Sequence, residues 1–148
     1  MEHLFIGELL KASWKSGRYI EVSRPEADRS GYDVILERGD VIRHVQLKTR
    51  KSDGEARKQN VHTLLGEKAS GCVVVILFDD ELRLGPFLYF GSAPGDPLPA
   101  MTAMPVAKHT KRNKEGNRSD RPALREVSHK HFLEVNGIAD IMERLFGA

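Results

Sequence analysis

The feature that most restricts the fold of this chain is an uninterrupted apolar segment near its middle. Residues 71–78 read Gly-Cys-Val-Val-Val-Ile-Leu-Phe, which is strand length with a β-branched composition. A strand without alternation of polar and apolar residues is buried on both faces. We therefore expect a sheet in which this strand is central and both faces are covered.

Three segments on either side of this strand have apolar residues at helical spacing. They predict an N-terminal helix over 4–14 that ends at Gly17, a second helix over 56–70, and a C-terminal helix over about 137–147. Shorter β-rich runs predict strands at 19–22 and 82–90. The segment 108–122 is basic, lacks apolar periodicity and is predicted to be an exposed loop or mobile arm.

The length and composition indicate one globular domain. The chain has 148 residues, 40% hydrophobic and 30% charged, so we treat 1–148 as a single domain with its core at about 2–90. The single cysteine, Cys72, is expected to be a buried thiol, which fits a reducing compartment. No apolar stretch approaches the roughly 20 residues that span a bilayer, and we expect no membrane association and a cytoplasmic location.

The charge of the chain is unevenly distributed. The formal net charge is +2, but residues 38–58 carry 7 basic and 3 acidic side chains, and residues 108–130 carry 8 and 3. Such blocks favour a polyanion as partner, although charge runs are more often plain solvated surface.

A predicted hairpin brings three polar side chains together. The β-rich runs 32–37 and 41–50 flank Gly39-Asp40, a common two-residue turn, so paired positions have numbers that sum to 79 and Asp33 lies opposite Gln46. Gln46 and Lys48 share one face of the second strand, roughly 6–7 Å apart. The opposite face is apolar and packs on the core, which leaves the polar face to be explained.

This trio suits hydrolysis of a phosphodiester. A hard divalent cation prefers oxygen ligands, which the Asp33 carboxylate and the Gln46 amide oxygen can supply. Lys48 would position a water or neutralise charge on the phosphoryl oxygens. From spacing alone, a surface salt bridge between Asp33 and Lys48 with Gln46 as filler is an equally good interpretation.

The same residues resemble the PD-(D/E)XK nuclease superfamily over about residues 2–80. The resemblance rests on Glu8 in a first helix, Gly31-Tyr32-Asp33 opening a hairpin, and Gln46-Leu47-Lys48 on its second strand. It implies an α/β, restriction-endonuclease-like αβββαβ core, with a mixed central sheet flanked by helices and an added C-terminal helix. It also implies a catalytic set of Lys48, Asp33, Gln46 and Glu8, with Mg²⁺ or Mn²⁺ held by Asp33, Gln46 and Glu8. The chain departs from the pattern at Gln46, where Asp or Glu is usual and a negative charge is lost.

Three functions follow as hypotheses. The leading one is a metal-dependent endonuclease acting on DNA, or less favourably RNA; the resemblance also suggests a homodimer that brings two sites to a duplex. The others are a catalytically inactive nucleic-acid-binding or assembly module of the same fold, and a protein-interaction domain without a nucleic-acid partner. The predicted nucleic-acid-binding residues are basic side chains of both blocks: Arg50, Lys51, Arg57, Lys58, Lys111, Arg112 and Lys114.

Four further side chains have mainly structural interpretations. Asp28, in the loop before the hairpin, is expected to cap that loop, with a further metal ligand as the alternative, and His44 to be structural or to flank the site. His129 and His131 lack a third ligand nearby and are interpreted as solvated.

Overall fold

The structure is a computed structural model that describes all residues from 1 to 148. Its helices are α1 (Glu2–Ser16) and α2 (Ile138–Phe146). Its strands are β1 (Glu21–Ser23), β2 (Val34–Arg38), β3 (Val41–Lys51), β4 (Lys58–His62), β5 (Gly71–Phe78), β6 (Leu84–Gly91), β7 (Val106–Lys108), β8 (Asp120–Ser128) and β9 (Leu133–Val135).

The main sheet is mixed and contains six strands in the order β1-β2-β3-β5-β6-β9. Only β3 and β5 are parallel; the other neighbours are antiparallel. The apolar strand β5 lies between β3 and β6, and seven of its eight residues are buried. The prediction that this strand is central is confirmed, as is the mixed α/β class.

The two faces of the main sheet are covered differently. Helices α1 and α2 pack on one face, where Leu9 and Leu145 join a core with Val45 and Val74. The other face is covered by a second sheet of three strands in the order β4-β8-β7. A second core there includes Val61, Val127, Val73 and Phe90. Both faces of the main sheet are therefore covered, one by the two helices and the other by the second sheet.

The helix predicted over 56–70 is wrong. Residues Lys58–His62 form β4, and Thr63–Glu67 form a short 3₁₀ helix. The apolar spacing is real, since Val61 and Leu65 are both fully buried. However, β4 pairs with β8, about sixty residues further along, and this pairing outweighs the local preference. The segment begins with strong helix formers over 56–59, so local propensity alone favours the helix that the pairing overrides.

The basic segment is the tip of a β-hairpin. Strand β7 ends at Lys108 and β8 begins at Asp120, which leaves residues 109–119 as an exposed loop. The Asn113 carboxamide accepts hydrogen bonds from the backbone of Glu115 and Asn117, so this tip has a defined turn. The arm is thus a two-stranded ribbon with a basic end.

One charged side chain lies in the interior. Arg43 is fully buried and donates hydrogen bonds to the Tyr89 hydroxyl and to the carbonyls of Ser92 and Ala93. No carboxylate pairs with it. Burial raises the pKa of the neighbouring Cys72 thiol to about 11, as expected of a buried thiol. Through its hydrogen bonds to the Ser92 and Ala93 carbonyls, Arg43 ties the segment after β6 to the main sheet.

Neither helix has the length and apolar character needed to cross a membrane.

Candidate functional site

The β2–β3 hairpin has the register that its sequence predicts. Val34 pairs with Val45 and Ile35 with His44, and the turn falls at Gly39-Asp40. The pairing numbers sum to 79, so the prediction is confirmed. Asp33 stands directly before β2, at the point where regular pairing begins.

Asp33 is held in place by two backbone contacts to β3. Its own N–H donates to the Val45 carbonyl at 2.9 Å. Its carboxylate Oδ2 accepts a hydrogen bond from the Leu47 N–H at 2.7 Å. Because Leu47 lies between Gln46 and Lys48 in the strand, this bond places the carboxylate beside the positions from which both side chains emerge.

Gln46 has a buried oxygen without a partner. The side chain is 9% exposed, although it lies on the face of β3 opposite the helical core. Its Oε1 makes no hydrogen bond. A buried carbonyl oxygen left without a donor costs about 1–3 kcal/mol, so such atoms are rare and need an explanation.

The surroundings of the Asp33 carboxylate disfavour its charged form. Its pKa is raised above the ordinary value, chiefly because burial disfavours the charged form, and the nearby Asp28 carboxylate adds to the effect. The Leu47 N–H and the charges of Lys48 and Arg24 oppose the rise. Asp28 therefore lies within electrostatic range of Asp33.

Lys48 is partly exposed and forms no ion pair. No salt bridge within 4.0 Å joins it to Asp33, so the alternative interpretation of a simple surface pair does not describe the structure. Its ammonium is free to meet an anionic ligand next to Asp33.

Glu8 is not brought to this group. It lies on α1, which packs on the opposite face of the main sheet, and its carboxylate pairs with Lys11 on the same helix at 3.7 Å. No three His, Cys, Asp or Glu side chains are arranged to hold a metal ion. The structure thus assembles Asp33, Gln46 and Lys48, and the role of Glu8 stays a prediction.

The predicted nucleic-acid-binding residues fall into two groups. Near the end of β3, Lys51 pairs with Asp80, and Lys58 pairs with Glu126 at 2.9 Å. In the arm, Lys111 and Lys114 are exposed without partners, and Arg112 donates to the Gly116 carbonyl.

Two histidines are more embedded than their sequence context indicates. The first is His129, which is half-buried and contacts Arg50 and Gln59, so its interpretation as a solvated residue is wrong. Its neighbour His131 is exposed, as expected. The second is His44. His44 stacks edge-on against Tyr32, with ring centroids 4.8 Å apart. The alternation of β3 places His44 on the polar face, but its partners come from distant segments that no local pattern reveals.

Comparisons with known proteins include a similarity to a solved structure. No family model matches the sequence, and no curated protein matches it. Among solved structures, the chain is similar to the 1.6 Å structure of Hjc, a Holliday junction resolvase from the archaeal hyperthermophile Archaeoglobus fulgidus. The TM-score is 0.43 and the identity 14%, over 94% of this chain and 98% of that chain. The fold class stated above rests on this chain's own topology.

Proposed function

We propose that this protein is a metal-dependent nuclease-like protein that hydrolyses phosphodiester bonds in DNA. The observation that carries the proposal is the unpartnered, buried Oε1 of Gln46 beside a carboxylate that the Leu47 N–H holds in place. If Gln46 served folding alone, a hydrogen-bonded or apolar side chain would be expected at this position. A bound ligand would explain both the unpartnered Gln46 oxygen and the position of the Asp33 carboxylate.

The donor atoms fit Mg²⁺ or Mn²⁺. Both are hard cations that take oxygen ligands, and Mg²⁺ is commonly bound through one or two carboxylates together with substrate phosphate. Asp33 and Gln46 would hold the ion, and a role for Glu8, which pairs with Lys11 on α1, stays a prediction. When bound, the ion would polarise the phosphodiester and acidify a water. With one carboxylate and one neutral oxygen, affinity should be weak without substrate.

Lys48 supplies the remaining part of the site. Its partly exposed ammonium lies near Asp33 without an ion-pair partner, so it can hydrogen-bond a phosphoryl oxygen and neutralise charge that develops there. Asp33 keeps its position through the Leu47 N–H, which fixes the carboxylate without using its other oxygen.

Nucleic acid is the proposed partner because basic groups extend away from the site. The arm presents Lys111, Arg112 and Lys114 at the tip of an exposed ribbon, a shape that suits contact with a phosphate backbone. Arg50, Lys51, Arg57 and Lys58 follow the site along the chain. A homodimer that brings two such sites to one duplex is part of the proposal.

The decisive experiment is a cleavage assay with linear, branched and single-stranded DNA in Mg²⁺ or Mn²⁺. We expect Lys48→Met to lower the cleavage rate about a hundredfold to a thousandfold with little change in Tm. Lys15→Met, an exposed lysine at the end of α1, is the matched control and should cleave normally. Cleavage without metal, or undiminished in Lys48→Met, would refute the assignment.

The second candidate is an inactive binding module of the same fold. Gln46 favours it, because the amide lacks the negative charge that a second carboxylate would give the metal site. This function predicts DNA binding that weakens steeply with salt, together with no product under either metal.

A further inference from the structure

A second cluster of polar groups lies further along the same face of β3. Arg50 follows Lys48 by two residues, so both side chains leave the same face of the strand, roughly 6–7 Å apart. Beside Arg50 is an open cavity of about 550 Å³, lined also by Arg57 and His129. The Leu88 and Phe132 side chains contribute apolar lining.

The cavity contains a cationic donor that the protein does not satisfy. Arg50 Nη1 donates to the Ala56 carbonyl and lies 3.5 Å from His129 Nδ1. Its Nε is buried and has no hydrogen-bond partner. Arg57 is exposed, and the bonds it makes are to the backbone carbonyls of Gly54 and Ala56. Arg50 and Arg57 both line the cavity and neither pairs with a carboxylate, so an anion from outside the chain would meet two guanidinium groups there.

His129 helps to hold Arg50 in place without adding charge to the cavity. Burial and the nearby Arg50 and Arg57 charges lower the pKa of His129, which keeps its ring neutral near pH 7. Arg50 can only donate, so Nδ1 must accept and Nε2 must carry the hydrogen. Gln59 Nε2 lies 3.2 Å from His129 Nε2, and with this tautomer the amide is assigned in the flipped orientation, so that its oxygen accepts from Nε2. Both ring nitrogens are thereby fixed.

The acids of the cavity leave the arginines unpaired. Asp53 and Glu134 are exposed at its lining, and neither carboxylate lies within 4.0 Å of the Arg50 or Arg57 guanidinium. The inner part of the cavity therefore presents N–H donors and positive charge, whereas the acids face solvent, where water and salt screen them.

We propose that this cavity is a second phosphate site, formed by Arg50 and Arg57, that binds the backbone phosphate next to the one at Lys48. Guanidinium groups match phosphate oxygens with two parallel N–H donors, which a lysine cannot do. The site rests on the proposed function for the identity of the ligand, but its chemistry requires only a phosphate.

The test follows the His129 ring signals by NMR in the metal-free protein. The probes are inorganic phosphate and a short thymidine oligonucleotide, with a second oligonucleotide in which neutral methylphosphonates replace the phosphates. We expect saturable shifts with inorganic phosphate and the charged oligonucleotide, and none with the neutral one. Arg57→Gln and Arg50→Gln should each weaken binding roughly tenfold to a hundredfold. Arg83→Gln, an exposed arginine paired with Asp79, is the matched control and should bind normally.

The outcomes separate this inference from the proposed nuclease. If the oligonucleotide shifts His129 with the expected Arg57 dependence but no DNA is cleaved under any metal, the phosphate site stands and the nuclease assignment fails. If DNA is cleaved but His129 does not respond to either probe, the phosphate site is refuted alone. Binding of inorganic phosphate without the oligonucleotide would overturn its assignment to a nucleic-acid backbone. Equal binding by wild type and both arginine variants would also refute it.

Discussion

Replacement of Gln46 by methionine tests whether the buried amide oxygen is kept for a ligand. Methionine is close to glutamine in size and shape, so it removes the unpartnered Oε1 without opening a cavity. An unsatisfied buried acceptor costs about 1–3 kcal/mol, and Gln46→Met should recover that amount. For a domain of this length, each kcal/mol shifts Tm by about 2–4 °C, so Tm should rise by about 2–12 °C.

The assay is thermal and denaturant unfolding of the metal-free protein, followed by titration with Mn²⁺ or Mg²⁺. The matched control is Gln59→Met, in which the same change removes a glutamine that contacts His129 at 3.2 Å. That variant should lose about 0.5–1.5 kcal/mol of stability. Gln46→Met should gain stability but lose metal-dependent stabilisation. If Gln46→Met is destabilised as much as Gln59→Met, Oε1 has a partner in solution and the reasoning fails.

Three further perturbations examine the carboxylate, the turn before it and the arm. Asp33→Asn keeps the acceptor for the Leu47 N–H and removes a charge whose burial raises the pKa of Asp33 above the ordinary 3.8. A raised carboxyl pKa means that stability is lost as pH rises through it, so Asp33→Asn should be more stable than wild type at pH 7. This advantage should vanish below pH 3.8, as denaturant unfolding at both pH values will show. Gly31→Ala should cost about 2–5 kcal/mol in urea unfolding, because φ is +75° and the new Cβ would lie 2.3 Å from His62 Cβ. Gly116→Ala, with φ of +83° and open space, should cost only about 1–2 kcal/mol, and equal costs would contradict the steric argument. The substitutions Lys111→Ala, Arg112→Ala and Lys114→Ala remove the charges at the arm tip. They should reduce the slope of log affinity for DNA against log salt concentration by about 1–3. An unchanged slope would exclude the arm from the interface.

The sequence predicts what depends on neighbours along the chain. The hairpin register follows from a period of two and a Gly-Asp turn, and these suffice to bring Asp33 to Gln46 and Lys48. The central position of β5 follows from its continuous apolar composition. Both are local signals.

Features that depend on distant segments were not predictable in this way. Residues 58–62 form a strand because β8 pairs with them, and the spacing of Val61 and Leu65 suits either interpretation. Arg43 is fully buried because Tyr89 and two carbonyls after β6 accept its hydrogen bonds. His129 joins Arg50 only through the fold, and Glu8 lies across the sheet from the residues that the family pattern groups with it.

The pairing of β4 with β8 has a consequence for the order in which the chain folds. The sheet that packs on β5 and β6 cannot form fully until residues 120–128 return to meet residues 58–62, which closes a loop of about sixty residues. Contacts so far apart in sequence form late and slow the overall rate. The β2–β3 hairpin can form early, because its pairing is local. The second sheet is then completed only when the last third of the chain arrives.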